Sequence, residues 1–150
     1  MLIAWRVAKR RRPVYDGTGA LLVGGRWNSA GRAIIHASDS FAGALLEILA
    51  HAARPRTLPG PHDAVRIEIP DALIESLSPG ALPGWERRES GEARAFGDRW
   101  LAESRSVVLV VPSVPARPVG RTVLINPLHA DAAAIAVSDP FPVPWDERLF

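Results

Sequence analysis

Fourteen prolines occur among the 150 residues of this chain, thirteen of them from residue 55 onward, where they limit how long a helix or strand can be. Proline lacks a backbone N–H and restricts the residue before it, so it ends helices and is excluded from the middle of sheets. The apolar segments between the prolines are short. Since 47% of the residues are hydrophobic, they suffice for one buried core. We predict a single domain over residues 1–150 with a mixed α+β fold.

The pattern of apolar residues predicts both strands and helices. Strands are expected at 2–8, 20–27, 33–38, 64–70, 106–113 and 121–127. The segment 106–113 is the most apolar and is expected in the centre of the sheet. Helices are expected at 38–53 and at 90–105, the second capped by Ser90, while 13–20 is expected to form a loop and the proline-rich tail 139–150 an extended edge.

The composition excludes several classes of function. There is no cysteine, which removes disulfides, thiolate zinc sites and a cysteine nucleophile. No apolar run is long enough to span a bilayer and no signal peptide is recognisable, so we expect a cytoplasmic protein without membrane contact. We predict no metal site, because the four histidines lack the spacing of metal ligands, and no serine is in a nucleophile elbow.

Arginine dominates the basic residues, since Lys9 is the one lysine among the eighteen Lys and Arg residues. Arginine binds phosphates and carboxylates in a bidentate manner, so this bias favours an anionic ligand. A genome that encodes arginine in place of lysine explains it equally. The cluster KRRR at 9–12 keeps open a second class of function, a basic nucleic-acid-binding module, although no recognition helix or aromatic ribonucleoprotein motif is present.

Glu47 is the one formally charged residue between Phe41 and Ala53. A helix this apolar is expected to be largely buried, with Glu47 facing a cleft lined mostly by small residues. A buried carboxylate needs a cationic partner, hydrogen-bond donors or a ligand, and we expect Arg26 or Arg6 to be that partner. Two interpretations remain open, an architectural ion pair and a functional acid.

The stretch GGRWN places two glycines directly before Arg26. Glycines here suit the turn of a β-hairpin, and they equally suit a cradle in which the open backbone lets an anion approach the arginine. No helix is expected directly after them, so the stretch is neither a dinucleotide-binding fingerprint nor a P-loop.

Five motifs occur in one order along nearly the whole chain: GGRWNSAG, ALLEILAH, FGDRWL, VVPS and LINPLHAD. Together they resemble the RES-domain family, the toxin halves of RES–Xre toxin–antitoxin pairs. The resemblance implies a fold like that of ADP-ribosyltransferases, with a mixed, mainly antiparallel sheet and short flanking helices. It also implies that the protein consumes NAD+, either by hydrolysis or phosphorolysis of the nicotinamide bond or by transfer of ADP-ribose to a protein.

The resemblance also assigns roles to residues, since the family is named for an arginine, a glutamate and a serine that match Arg26, Glu47 and Ser113. Glu47 would stabilise the positive charge that develops on the ribose, and Arg26 would bind the pyrophosphate with Arg6 as a helper. Ser113 would contact the ligand, orient Glu47, or only cap a strand end. The residues expected to bind NAD+ are Arg6, Gly25, Arg26, Trp27, Asn28, His36, Ser113 and Asn126.

His36 departs from the family pattern, which has a tyrosine ten positions after the arginine and eleven before the glutamate. Imidazole can still stack on nicotinamide or hydrogen-bond to ribose, so we include His36 with Arg26 and Glu47 as a catalytic residue. The departure keeps open a catalytically weakened relative that only binds an antitoxin. The expected partners are an Xre-type antitoxin that blocks the cleft and a protein target of ADP-ribosylation, with nucleic acid contacted only through the antitoxin.

Overall fold

The computed structural model describes residues 1–10, 13–52, 54 and 56–150. Part of the basic cluster at 9–12, namely Arg11 and Arg12, lies outside the described residues. Ala53 and Pro55, at and just after the end of the predicted helix 38–53, also lie outside the described residues.

The described part of the chain forms eight strands and three helices, with short 3-10 turns between them. The strands are β1 (Leu2–Lys9), β2 (Ile35–Ser38), β3 (His62–Ile69), β4 (Ile74–Ser76), β5 (Val108–Pro112), β6 (Arg121–Ile125), β7 (Ala136–Val137) and β8 (Phe141–Pro142). The helices are α1 (Thr18–Val23), α2 (Phe41–Ala50) and α3 (Gly91–Glu103).

The strands form one sheet in the order β4-β5-β6-β2-β1-β3-β7, and β8 also pairs with β3. Every pairing is antiparallel except that of β4 with β5. Because β3 has residues Val65, Ile67 and Ile69 buried on one face, as its alternation predicts, it anchors one half of the core. The predicted mixed, mainly antiparallel fold with short helices is confirmed.

Two large apolar clusters fill the core. One lies on β1, β2, β3, β5 and β6, and the other joins α3 to β5 and β6 through fully buried Trp100. The helix α3 begins where Ser90 predicts it, because the Ser90 hydroxyl accepts a hydrogen bond from the Ala93 N–H at 3.0 Å. Among the described residues, no helix is both long and apolar enough to cross a membrane.

The predicted strand at 20–27 is wrong. Its first half belongs to the helix α1, which ends where the Gly24 N–H donates to the Ala20 carbonyl and Gly24 adopts a φ of 72°. A short uninterrupted apolar run fits a strand and a helix equally well, and here the glycine stops a helix. The strand β2 therefore pairs with β6 and β1, and the predicted hairpin does not form.

Two further expectations need correction. The helix α2 is not largely buried, since only Ala44 is fully buried and Leu46 is 38% exposed. Strand β5 is buried along its whole length but lies next to the edge, because the unpredicted strand β4 runs parallel to it and covers its outer side. The apolar composition of α2 did not report its exposure, and the apolar composition of β5 did not report which strand covers its outer side.

Candidate active site

A cleft with a volume of about 1500 Å³ lies where strands β1 and β2 separate. These two strands share a single backbone pair, Trp5 with Ser38, and beyond it they diverge. Residues of both strands line the cleft, together with α2 and the turn that follows α1. The opening is thus part of the sheet itself.

Arg6 bridges the two diverging strands. Its Nη1 donates to the His36 carbonyl at 2.8 Å, and its Nε donates to the Val14 carbonyl at 2.5 Å. Together these contacts tie β1 to β2 and to the loop after β1, beyond the one backbone pair that the two strands share. Burial lowers the pKa of the Arg6 guanidinium, which the Asp16 charge partly offsets. Arg6 therefore links the walls of the cleft through Nε and Nη1, and its predicted help in binding pyrophosphate stays a prediction.

Glu47 faces the cleft from the last turn of α2, with 28% of its side chain exposed. The Ser113 hydroxyl donates to Glu47 Oε1 at 3.2 Å and accepts from the Ala116 N–H. The His51 Nδ1 lies 3.7 Å from Glu47 Oε2. The predicted direct partner, Arg26 or Arg6, is wrong, because among the described residues no arginine lies within ion-pair distance of this carboxylate. Glu47 is cleft-facing as predicted, and Ser113 orients it.

Arg26 lies across the cleft on the turn after α1. Its Nη1 donates to the Trp85 carbonyl at 2.9 Å and to the Arg87 carbonyl. Within the described ranges its Nε and Nη2 donate to no protein atom, so they remain available to a ligand. Burial lowers the pKa of Arg26, and the Glu47 charge opposes this. The guanidinium is therefore anchored at one nitrogen, with two others unoccupied.

The turn that carries Arg26 is held from behind by α3. The Gly25 N–H donates to the Asn28 carbonyl, and the Asp98 carboxylate accepts from the Ser29 N–H at 2.8 Å and from its hydroxyl. At Gly97 the backbone of α3 touches the Trp27 carbonyl so closely that a Cβ would lie 1.6 Å from its oxygen. The motifs GGRWN and FGDRW therefore pack directly against each other, and the second holds the turn formed by the first.

Trp27 and Asn28 of this turn are buried and serve the fold as well as the cleft. The Trp27 ring stacks on Trp85 at a centroid distance of 6.2 Å. The Asn28 Nδ2 donates to the carbonyls of Ala20, Ser29 and Arg32. Both residues border the cleft, and the Asn28 Oδ1 is buried there without a hydrogen-bond partner among the described residues.

His36 lies on β2 in the wall of the cleft, beside Gly25. A Cβ at Gly25 would lie 3.6 Å from the His36 Nε2, so the glycine leaves this face of the ring open. Burial, together with the smaller effects of the Arg6 and His51 charges, lowers the pKa of His36 to about 4. The imidazole is therefore neutral at physiological pH, and it can contact a neutral or cationic ring without adding charge.

The low pKa of His36 predicts a pH-dependent stability. The unfolded chain binds more protons than the folded one between the pKa of about 4 and the ordinary 6.5, so stability is lost as pH falls through this window. We expect wild type to be about 2 kcal/mol less stable at pH 5 than at pH 7. Urea unfolding at both pH values measures this difference. In His36→Gln this drop should be nearly absent, and an equal drop in both proteins would contradict the assignment.

Asn126 is not in the cleft. It follows β6 at the end opposite to the one that lines the cleft, and its Oδ1 accepts from the Leu128 N–H at 3.1 Å. The side chain forms an Asx turn that ends the strand, so the structure does not bring it to the cleft, and its contact with NAD+ stays a prediction. The sequence analysis did not predict the roles of Asp98 and Gly97. Their only signal was that both belong to FGDRWL, one of the five motifs.

The cleft is strongly positive. Among the described residues that line it there is one carboxylate, Glu47, against six cationic side chains: Arg6, Lys9, Arg26, Arg54, Arg88 and Arg94. Cationic walls concentrate anionic ligands and favour binding of phosphate groups. The described part of the chain contains no cluster of three or more His, Asp or Glu side chains suited to a metal ion.

The fold defined by this split sheet is shared with a solved structure. A chain of the Mycobacterium tuberculosis MbcT–MbcA toxin–antitoxin complex superposes with a TM-score of 0.74 at 18% identity. The match covers 94% of this chain and 83% of that chain. At this identity the likeness concerns the fold.

The sequence identifies the family. The RES domain model matches residues 3–146, so the chain belongs to the RES domain family, as the five motifs predicted. The toxin Res of Pseudomonas putida is 37% identical over 152 residues, covering 99% of this chain and 100% of that protein. The Prs ADP-ribosylating toxin of Sphingobium sp. is 39% identical over 140 residues, covering 87% of this chain and 86% of that protein.

Proposed function

We propose that this protein is the toxin of a toxin–antitoxin pair and that it cleaves the bond between nicotinamide and ribose in NAD+. The observation that carries the proposal is the fixed carboxylate of Glu47 on the wall of a cationic cleft. The names of its relatives in Pseudomonas putida and Sphingobium support the same class of activity.

Cleavage of the nicotinamide bond builds positive charge on the ribose, because the leaving group takes the bonding electrons before the acceptor oxygen arrives. A carboxylate held beside this carbon stabilises the developing charge and needs no rearrangement during the reaction. Glu47 meets this requirement, since Ser113 fixes its Oε1 and the side chain remains partly open to the cleft.

The pyrophosphate of NAD+ needs cationic donors. Arg26 offers its Nε and Nη2, and Lys9, Arg54, Arg88 and Arg94 add positive charge along the same cleft. Arg6 would assist as the predicted helper through its charge and its Nη2, because its Nε and Nη1 already donate to backbone carbonyls. His36 would contact the nicotinamide or the ribose as a neutral ring. The reaction as proposed draws on no metal ion.

An Xre-type antitoxin is the proposed partner and would act by blocking the cleft. The fold match to a chain of a toxin–antitoxin complex supports a protein partner of this kind. NAD+ is the proposed substrate, and the acceptor is water, phosphate or a side chain of a target protein. Since NAD+ is an intracellular metabolite, we place the reaction in the cytoplasm.

The proposal is tested by incubating the purified protein with NAD+ and analysing the products with and without phosphate. We expect free nicotinamide in both reactions. ADP-ribose identifies water as the acceptor, ADP-ribose 1-phosphate identifies phosphate, and label retained on an added bacterial extract identifies a protein. Absence of nicotinamide under all three conditions would refute the proposal.

A second candidate is a weakened relative that retains antitoxin binding without turnover, and His36 in the place of the family's tyrosine favours it. The two candidates differ in one result. A protein that forms a stable complex with its antitoxin but releases no nicotinamide, and that gains release on His36→Tyr, is the weakened relative.

A further inference from the structure

His51 lies one helical turn after Glu47, at the position that ends α2, and its side chain is 79% exposed in the cleft. Its imidazole has a defined orientation despite this exposure. The ring Nδ1 lies 2.8 Å from the Glu47 backbone carbonyl oxygen. A carbonyl oxygen only accepts hydrogen bonds, so Nδ1 carries the proton. In the neutral ring, Nε2 then has the free lone pair.

The carboxylate of Glu47 completes this arrangement. Its Oε2 lies 3.7 Å from the His51 Nδ1, while its Oε1 is held by Ser113. A proton taken up at Nε2 therefore places positive charge on a ring that lies next to this carboxylate. The imidazole is thus oriented at Nδ1 by a carbonyl, has a carboxylate beside it and keeps Nε2 free, which is the arrangement of a general base.

Few other groups along the described cleft could accept a proton. His62 is buried, and its Nδ1 is engaged by the Gly60 carbonyl at 2.7 Å. His36 has a pKa lowered to about 4 by burial, which makes it a weak base. Glu47 stabilises the positive charge on the ribose in the proposed function, so it does not serve as the base. His51 is the exposed imidazole of this set.

We infer that His51 acts as the general base that activates the acceptor water in the proposed reaction, an inference that rests on the proposed function. The bond between ribose C1′ and the nicotinamide nitrogen breaks, and its electron pair leaves with neutral nicotinamide. The water oxygen forms the new bond to C1′, and its proton moves to Nε2 of His51 and then to solvent. The products are ADP-ribose, nicotinamide and one proton.

Competition between two acceptors tests this role. Water must lose a proton when it attacks, whereas the phosphate dianion is already an anionic nucleophile and needs no base. The variant His51→Asn keeps an N–H donor for the Glu47 carbonyl but has no basic nitrogen. With wild type and variant in the same phosphate buffer with NAD+, the ratio of ADP-ribose to ADP-ribose 1-phosphate should fall about 10²-fold in the variant.

The ratio separates a base from a positioning group. If His51 only positioned Glu47 or ended the helix, both products would fall by the same factor, and an unchanged ratio would overturn the inference. Added imidazole should restore ADP-ribose formation in His51→Gly, and failure to restore it would also count against a base. The control His129→Asn removes an imidazole that does not line the cleft, since its Nε2 faces the Ser104 carbonyl, and should keep the wild-type ratio.

The products formed from NAD+ test the proposed function and the role of His51 separately. A wild-type protein that forms neither product from NAD+ contradicts the function itself. A wild-type protein that forms both products, with the same ratio in His51→Asn, leaves the function intact and removes only the role of His51.

Discussion

Replacement of Glu47 by glutamine should lower nicotinamide release from NAD+ by about 10²–10³-fold. Glutamine has nearly the same size, and its Oε1 can still accept the hydrogen bond from Ser113 that fixes the side chain. What is lost is the negative charge beside the ribose. Because this charge interacts more strongly with the cationic transition state than with the bound substrate, the loss should appear in kcat more than in KM.

Initial rates of nicotinamide release, measured by chromatography across a range of NAD+ concentrations, separate the two constants. The matched control is Glu103→Gln, which removes a carboxylate from the exposed end of α3, where it is paired with Arg105. This control should keep the wild-type rate. If Glu47→Gln and wild type release nicotinamide at the same rate, Glu47 does not have the assigned role.

Replacement of Gly97 by alanine should destabilise the whole domain by about 3 kcal/mol or more. A Cβ at this position would lie 1.6 Å from the Trp27 oxygen and 2.7 Å from the Trp27 carbonyl carbon. Backbone cannot rotate away as a side chain can, so α3 and the turn that carries Arg26 must separate. The expected fall in the midpoint of thermal unfolding is roughly 10 °C, measured by circular dichroism.

The same helix offers its own control. Gly91 is the first residue of α3, and a Cβ there meets nothing within 4 Å. Gly91→Ala should therefore be neutral or stabilise by about 0.4–1 kcal/mol, since alanine restricts the unfolded chain. Equal melting temperatures for Gly97→Ala and Gly91→Ala would mean that α3 does not pack on the turn as described.

The same contact links stability to activity. Separation of α3 from the turn would also move Asp98 away from Ser29 and displace Arg26 from the cleft. We therefore expect the fraction of Gly97→Ala that remains folded to show weakened binding of NAD+.

The helix α2 and its acid illustrate what the sequence could predict. Ser40 caps the helix with its hydroxyl, which accepts from the Gly43 N–H, and the isolation of Glu47 among small residues indicates a cleft-facing carboxylate. These are local signals, set by side chains within one turn of each other. For the same reason the caps of α3 and the alternation of β3 were predictable.

The partner of Glu47 was not predictable in this way. Ser113 lies 66 positions further along the chain, directly after β5, and only the tertiary fold brings its hydroxyl to the carboxylate. The contacts that Arg6 and Asn126 make were not predictable for a similar reason. An arginine that bridges two strands and one that binds phosphate look alike in sequence. The fold decides which backbone carbonyls lie within reach of the side chain. The helix α1 was missed because its four apolar residues carry no periodicity.

Arg6 also determines how the cleft responds to a ligand. One side chain ties the two strands at the point where they part, so the distance between the walls is set before any ligand arrives. A site of this kind loses little conformational entropy when it is filled, and a small molecule and a blocking protein segment meet the same preformed shape. Substrate and inhibitor would therefore compete for a rigid opening, and the strength of inhibition would depend on the partner's own flexibility.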